Sequence, residues 1–262
     1  MPDARSLFDL TGTTAIVTGS GHGGLGYYAA VALADLGARL VVSDHPANEA
    51  ALNRTVDDIR RDGGTCVARL CDVASEEEVD ELVATATAEL GSIDALSHHA
   101  GVMLRKGAFE TTVEEWNRVL SINLTGTWLV NRAVARTMAN SGGGAIVNTS
   151  SVYADIVGVL PESAYYASKA GVVNLTRGLA MEWAEHDIRV NCLAPGVFYP
   201  TKMTAPLAED PHRLESMAAR AMMKRLGRPD EDFAGPVVFL LSPASRYMTG
   251  QLLYVDGGWA AW

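Results

Sequence analysis

Apolar residues alternate along this chain between two patterns. Nearly continuous apolar runs of five to eight residues stand at 14–18 (TAIVT), 38–44 (ARLVVSD), 66–72 (CVARLCD), 93–97 (IDALS), 144–150 (GAIVNTS), 188–195 (IRVNCLAP) and 252–258 (LLYVDGG). Runs this short and this apolar predict strands buried on both faces. Longer amphipathic stretches lie between them and predict helices. The first runs through Ala34 and closes at Gly37. The next cover 47–61, closed by Gly63-Gly64, and 75–90, where Ser75 followed by Glu78 forms a capping box. Further helices are expected at 113–138, 163–185, 206–225 and 230–241.

Strand and helix in repeated alternation predict an α/β fold: one parallel sheet of seven strands with helices on both faces. Right-handed crossovers make it a doubly wound, Rossmann-type domain. No linker or repeat interrupts the pattern, so residues 1–262 are read as a single domain, with a substrate lid expected at about 197–225.

Composition narrows the function classes. Hydrophobic residues at 48% and charged residues at 20% belong to a folded globular chain. The net charge of −10 argues against nucleic acid or an anionic membrane as partner and leaves a small-molecule substrate open. No apolar run approaches the ~18–20 residues of a membrane span, and MPDARSLFDL lacks a signal-peptide core. Cys66, Cys71 and Cys192 have no metal or C-x-x-C spacing and suit a reducing compartment. A cytoplasmic protein is expected.

The stretch TGSGHGGLG, Thr18–Gly26, joins the first strand to the first helix. A helix N-terminus there presents bare N–H groups to a phosphate, and glycine lets the backbone come close. Asp44 ends the second strand 18 residues past Gly26, near the spacing of an acid that grips a ribose 2′-hydroxyl. A carboxylate there repels a 2′-phosphate, and no Arg or Lys lies between Leu40 and Asn53, so NAD is expected over NADP.

Tyr165 and Lys169 stand at i,i+4 on one helical face. A phenol is a poor base at neutral pH, but a nearby ammonium favours the phenolate. The pair could then take a proton from an alcohol or give one to a carbonyl oxygen. Tyr166, at i,i+3 from Lys169, is not excluded by helix geometry alone. Ser150 and Ser151 end the fifth strand at the edge where such sheets bind ligands.

Together these residues resemble the short-chain dehydrogenase/reductase family over nearly the whole chain. The resemblance rests on the TG…GLG turn, Asp44, Asp72-Val73, the turn His98-His99-Ala100-Gly101, Asn123, Ser150-Ser151, Y-x-x-x-K, Pro195-Gly196 and the terminal Val255-Asp256-Gly257-Gly258. It implies Tyr165 as acid/base, Lys169 as pKa modifier and ribose anchor, and Ser151 as partner of the substrate oxygen. Asn123 would hold a water linking Lys169 to solvent. Gly19, Gly24, Leu25 and Gly26 would cradle the pyrophosphate, Asp72 and Val73 flank the adenine, and His99 and Gly101 border the cofactor. Pro195, Gly196, Phe198 and Thr201 would line its nicotinamide side. A homotetramer built through the fourth and fifth predicted helices is implied.

Three features depart from the family pattern. The glycine loop is one residue longer, with His22 in the insertion; the N-N-A-G turn reads His98-His99-Ala100-Gly101; and Thr201 comes one position late. The expected account is a hydrogen bond from His98 or His99 to the longer loop, with His22 bracing that loop against them directly or through water while Gly21 and Gly23 absorb the extra residue. A zinc or proton-relay cluster of the three imidazoles is the alternative. Arg105-Lys106 are expected in a solvated loop, with attraction of an anionic substrate as the alternative, and the methionines of 217–223 on one apolar face of a lid helix.

The function expected is hydride transfer between NAD and a secondary alcohol or ketone. GQLLYVDGGW and LFDLTG resemble members acting on sugars, polyols or sugar acids. The alternatives are an NADPH-dependent 3-oxoacyl thioester reductase and a catalytically silent nucleotide-sensing protein on the same fold.

Overall fold

The computed structural model describes residues 3–262. Seven strands form one sheet: β1 (Thr14–Thr18), β2 (Arg39–Asp44), β3 (Cys66–Leu70), β4 (Ala95–His98), β5 (Gly144–Thr149), β6 (Ile188–Pro195) and β7 (Leu252–Val255). Every pairing is parallel and the order is β3-β2-β1-β4-β5-β6-β7, so all seven expected strands are present in one α/β domain.

Successive strand residues point to opposite faces, which splits the core in two. Val17, Leu40, Val42 and Val147 pack on one face with Leu33, Leu52, Ile59, Phe233 and Leu240. These come from α1 (Leu25–Asp35), α2 (Glu49–Arg61), α8 (Ala234–Leu241) and the turn before it. Ile16, Val41, Leu96 and Ile146 pack on the other face with Leu82, Val130, Val134 and Leu179. Those belong to α3 (Glu76–Leu90), α5 (Gly126–Ala139) and α6 (Ser163–Trp183). Half of the expected capping box forms at the head of α3: Ser75 accepts from the Glu78 N–H, but the Glu78 carboxylate accepts from the Asp72 N–H rather than from Ser75.

Strand order reverses between β1 and β4. Their connections leave in opposite directions, and a crevice opens at the carboxyl edge of the sheet. The strand ends are in register there, with Thr18 opposite both Ser43 and His98, and His98 opposite Asn148.

Three helices differ from the periodicity. The one expected at 113–138 is broken into α4 (Val113–Leu120), a π-turn at Ser121–Thr125 and α5. Its cause is Asn123, fully buried, whose side chain is bonded to Val102 rather than to its own helix. The Thr127 hydroxyl donates to the Asn123 carbonyl at 2.7 Å and supports the widened turn. The stretch 206–225 is a 3₁₀ turn at Ala205–Glu209, then α7 (Pro211–Arg220), capped by Asp210 accepting from the Arg213 N–H. Its methionines do not share a face: Met217 is buried on α7, while Met222 and Met223 lie past its end, exposed. The last helix opens with a π-turn at Pro229–Phe233 before α8.

No helix among the described residues is long and apolar enough to cross a membrane.

Candidate active site

The crevice is a cavity of about 920 Å³. Gly19, Gly24, Leu25, Asp44, Asp72, Val73, His99, Gly101, Ser151, Tyr165, Lys169, Pro195, Gly196, Phe198 and Thr201 all line it. Thr201 does so despite its late position, held by hydrogen bonds to Thr204. Two expected residues stand behind the wall instead. Gly26 lies beneath the glycine loop, and Asn123 reaches the site through Val102.

The glycines serve different ends. Gly19 has φ +64°, and a Cβ there would lie 2.6 Å from the Ala100 nitrogen and 2.7 Å from the His99 carbonyl carbon. A Cβ on Gly26 would meet the Gly19 carbonyl carbon at 2.9 Å. Both are glycine because backbone packs on backbone: the loop is pressed against the end of β4 and against α1. Gly23 takes φ +83° in open space and absorbs the inserted residue as expected. Gly21 instead abuts Asp44, to which its N–H donates at 2.7 Å.

The residues suit a dinucleotide. No side chain caps α1 at Gly24 and no acid sits in its first turn, so its N-terminal amides face the cavity with positive partial charge. At the far end of the loop, the Asp44 carboxylate accepts from the Gly21 N–H, the His45 N–H (2.8 Å) and the Asn48 amide (2.7 Å). Two carboxylate oxygens offer about four acceptor positions, so capacity remains for a ribose hydroxyl. Sequence reasoning missed Lys202. Its N–H donates to the Gly23 carbonyl at 3.0 Å and its ammonium bonds Asn48 Oδ1, which brings a cation from 154 residues away to the Asp44 corner.

Ser151, Tyr165 and Lys169 converge on the opposite wall. Ser151 follows β5 and accepts from the Tyr153 N–H. Lys169 is 4% exposed; its ammonium donates to the Thr149 carbonyl at 2.8 Å and lies 5.6 Å from the Tyr165 ring centre. Burial pulls its pKa down to about 8, which leaves it mainly protonated at pH 7. Burial also raises the Tyr165 phenol above its ordinary value, with Ser151 working in the opposite direction. The Lys169 ammonium alone therefore does not produce a phenolate in the free chain. The Tyr166 phenol is engaged elsewhere. Its hydroxyl donates to the Leu160 carbonyl at 2.7 Å and accepts from the Gly158 N–H, pinning that loop.

Asn123 ties this group to β4. It accepts from the Val102 N–H at 2.8 Å and donates to the Val102 carbonyl and to Ser168 Oγ. A Cβ on Gly101 would lie 3.3 Å from Asn123 Oδ1 and 3.5 Å from Lys169 Nζ, so a larger residue would crowd the space these two share.

The expected histidine brace is absent. His22 donates its backbone N–H to the Ala51 carbonyl, and its ring lies 4.6 Å from Tyr27 and 3.9 Å from Asp58. The inserted residue carries the loop toward α2, away from β4. His98 bonds Thr18 Oγ1 through Nδ1 at 2.8 Å, and its Nε2 is buried without a partner. His99 lies between Ser97 Oγ (2.6 Å) and Thr149 Oγ1 (2.7 Å). The three rings do not converge, which removes the cluster as well. Burial pushes both His98 and His99 down to about 3, so each is a neutral imidazole at pH 7.

Arg105 and Lys106 are also not a free solvated pair. Arg105 Nε donates to Glu162 Oε1 at 3.0 Å, and Lys106 pairs with Glu115 at 2.7 Å. Glu162 is 2% exposed, lines the cavity and had no signal in the sequence beyond its place three residues before Tyr165.

Known proteins resemble this chain in sequence and fold. The family model described as enoyl-(acyl carrier protein) reductase matches residues 20–260. The chain is 40% identical over 263 residues to galactitol 2-dehydrogenase (L-tagatose-forming) of Cereibacter sphaeroides, spanning 99% of this chain and 100% of that protein. It is 36% identical to 5-keto-D-gluconate 5-reductase of Escherichia coli (strain K12), over 97% of this chain and 98% of that protein. A gluconate 5-dehydrogenase from Burkholderia cenocepacia J2315, solved in complex with NADP and tartrate, matches with TM-score 0.92 at 33% identity, over 99% of this chain and 100% of that one. Sheet order, cavity and relatives agree that the chain belongs to the short-chain dehydrogenase/reductase family, whose hydride-transfer chemistry on secondary alcohols it shares.

Proposed function

We propose that the protein oxidises a secondary alcohol of an open-chain polyol, sugar or sugar acid, or reduces the matching ketone, with NAD as cofactor. The observation that carries this reading is the pairing of roles on α6. Tyr165 and Lys169 face the cavity beside Ser151, while the Tyr166 hydroxyl is committed to a loop. A bound nicotinamide would supply the hydride carrier and, when oxidised, a positive charge that favours the phenolate. Tyr165 takes the proton of the substrate hydroxyl in oxidation and returns it in reduction. Ser151 holds the substrate oxygen, and the Lys169 ammonium favours the phenolate. Asn123 keeps the β4 exit and the π-turn in place, next to Lys169, and would hold a water joining Lys169 to solvent.

Asp44 supports NAD, because its carboxylate would repel a 2′-phosphate. The Lys202 ammonium at Asn48 favours a second reading in which NADP is also accepted. The two relatives named above, at 40% and 36% identity, are a polyol and a sugar-acid enzyme, so neither the thioester reductase nor the silent sensor is favoured. Segment 197–225, whose Phe198, Thr201, Leu207 and Met217 face the cavity, serves as the substrate lid. Exposed Trp128 on α5 and Met181 on α6 support a tetramer through those helices, which light scattering would test. A panel of secondary alcohols, polyols and sugar acids, followed by NADH absorbance with NAD and NADP in parallel, tests the activity. Binding of NAD without turnover across the panel would overturn it.

A further inference from the structure

Glu162 is the residue before α6, and it lines the cavity together with Tyr165 three residues on. Its side chain is 1% exposed. A buried carboxylate is costly unless it is paired and hydrogen-bonded. Arg105 supplies the pairing through Nε to Oε1. The Lys106 N–H donates to the Pro161 carbonyl at 2.9 Å, which straps the Arg105 segment against the turn carrying Glu162. No described protein group donates to Oε2, and that oxygen keeps access to the cavity. Burial raises the Glu162 carboxyl above its ordinary value, and Arg105 offsets this only in part. One oxygen is thus fixed and the other is an unused acceptor beside the reacting tyrosine.

Glu162 and Tyr165 line the same cavity, and the Glu162 carboxylate is near enough to raise the Tyr165 phenol electrostatically. A molecule with hydroxyls on neighbouring carbons can meet both, one hydroxyl on Tyr165 and its neighbour on Glu162. We infer that Glu162 is a specificity-determining residue whose Oε2 accepts a hydrogen bond from the hydroxyl adjacent to the reacting one, so that the site selects vicinal diols over simple secondary alcohols. This rests on the dehydrogenase reading above. It narrows the substrate to chains with consecutive hydroxyls, as in polyols and ketoses.

The matched pair 2,3-butanediol and 2-butanol differs in only that hydroxyl. In the unmodified protein the diol is expected to have the higher kcat/KM by tenfold or more. Glu162→Gln removes the charge and should lower kcat/KM for the diol by roughly 10- to 100-fold, the effect of losing one charge-assisted hydrogen bond. The loss on 2-butanol, which offers no second hydroxyl to Oε2, should be at least tenfold smaller than the loss on the diol. The double variant Arg105→Met/Glu162→Leu removes the pair without stranding a charge, and should abolish the preference while turning over 2-butanol. A thermal melt checks that each variant is folded. Equal kcat/KM for diol and mono-ol in the unmodified protein would overturn the inference, as would a parallel loss on both substrates in Glu162→Gln. Failure to oxidise either compound or any hexitol would defeat the dehydrogenase reading, and this inference with it.

Discussion

Replacing His98 with asparagine should make the protein less sensitive to acid. His98 is 1% exposed at the end of β4, bonded to Thr18 through one nitrogen and to nothing through the other. Burial, with His99 and the Lys169 ammonium adding repulsion, pushes its pKa from the ordinary 6.5 to about 3. Between those values the unfolded chain binds a proton on this ring and the folded chain does not. Stability is therefore full above pH 6.5 and drains as the pH falls toward 3. Linkage for one such group predicts a loss of about 2 kcal/mol between pH 7 and pH 5, at a limiting slope of ~1.4 kcal/mol per pH unit. His99 adds to this, but it faces the cavity and keeps some contact with solvent, which moderates its share. Asparagine can still bond Thr18 and does not titrate. Urea unfolding by tryptophan fluorescence at pH 7 and pH 5 gives the loss for each protein, and carboxylates common to both cancel in the difference. His98→Asn should lose about 2 kcal/mol less than the parent. An equal loss in both proteins would refute the reasoning.

Two further outcomes follow from the glycine loop and its acid. Gly19→Ala should destabilise by at least ~2 kcal/mol, since the residue combines a left-handed φ with a Cβ 2.6 Å from the Ala100 nitrogen; a melting temperature unchanged from the parent would contradict that. Asp44→Ala should narrow the preference for NAD over NADP, read as the ratio of kcat/KM values; an unmodified protein that already works as well with NADP would place Lys202, rather than Asp44, in control.

The sheet was legible in the sequence because its strands carry short, saturated apolar runs; the five inner strands are buried on both faces as expected, while the edge strands β3 and β7 are only partly buried. The site residues were legible where they stand at strand ends or at fixed helical spacing, as Asp44, Ser151, Tyr165 and Lys169 do. The π-turn at Ser121–Thr125 was not, because one extra residue per turn leaves an apolar helix pattern nearly intact. Its cause, Asn123 bonded to Val102, is a contact across 21 residues. The same limit hid Arg105 on Glu162 and Lys202 on Asn48, which are 57 and 154 residues apart. His22 was misplaced for a local reason. Two unusual features on neighbouring turns suggested a mutual contact, but Gly21 and Gly23 steer the inserted residue toward α2. The family resemblance already selects Tyr165 over Tyr166, and the Leu160 carbonyl that occupies the second phenol supplies the physical reason.

That choice gives the most direct test of the account. Tyr165→Phe and Tyr166→Phe are assayed side by side for turnover of the best alcohol in the panel, and for cofactor binding by fluorescence titration. Tyr165→Phe should lose about 10²- to 10⁴-fold in kcat, the range of a positioned acid/base, while cofactor affinity stays close to the parent value. Tyr166→Phe should keep most of its turnover. Near-normal turnover in Tyr165→Phe, or the reverse ranking of the two variants, would contradict the assignment of the proton-transfer group.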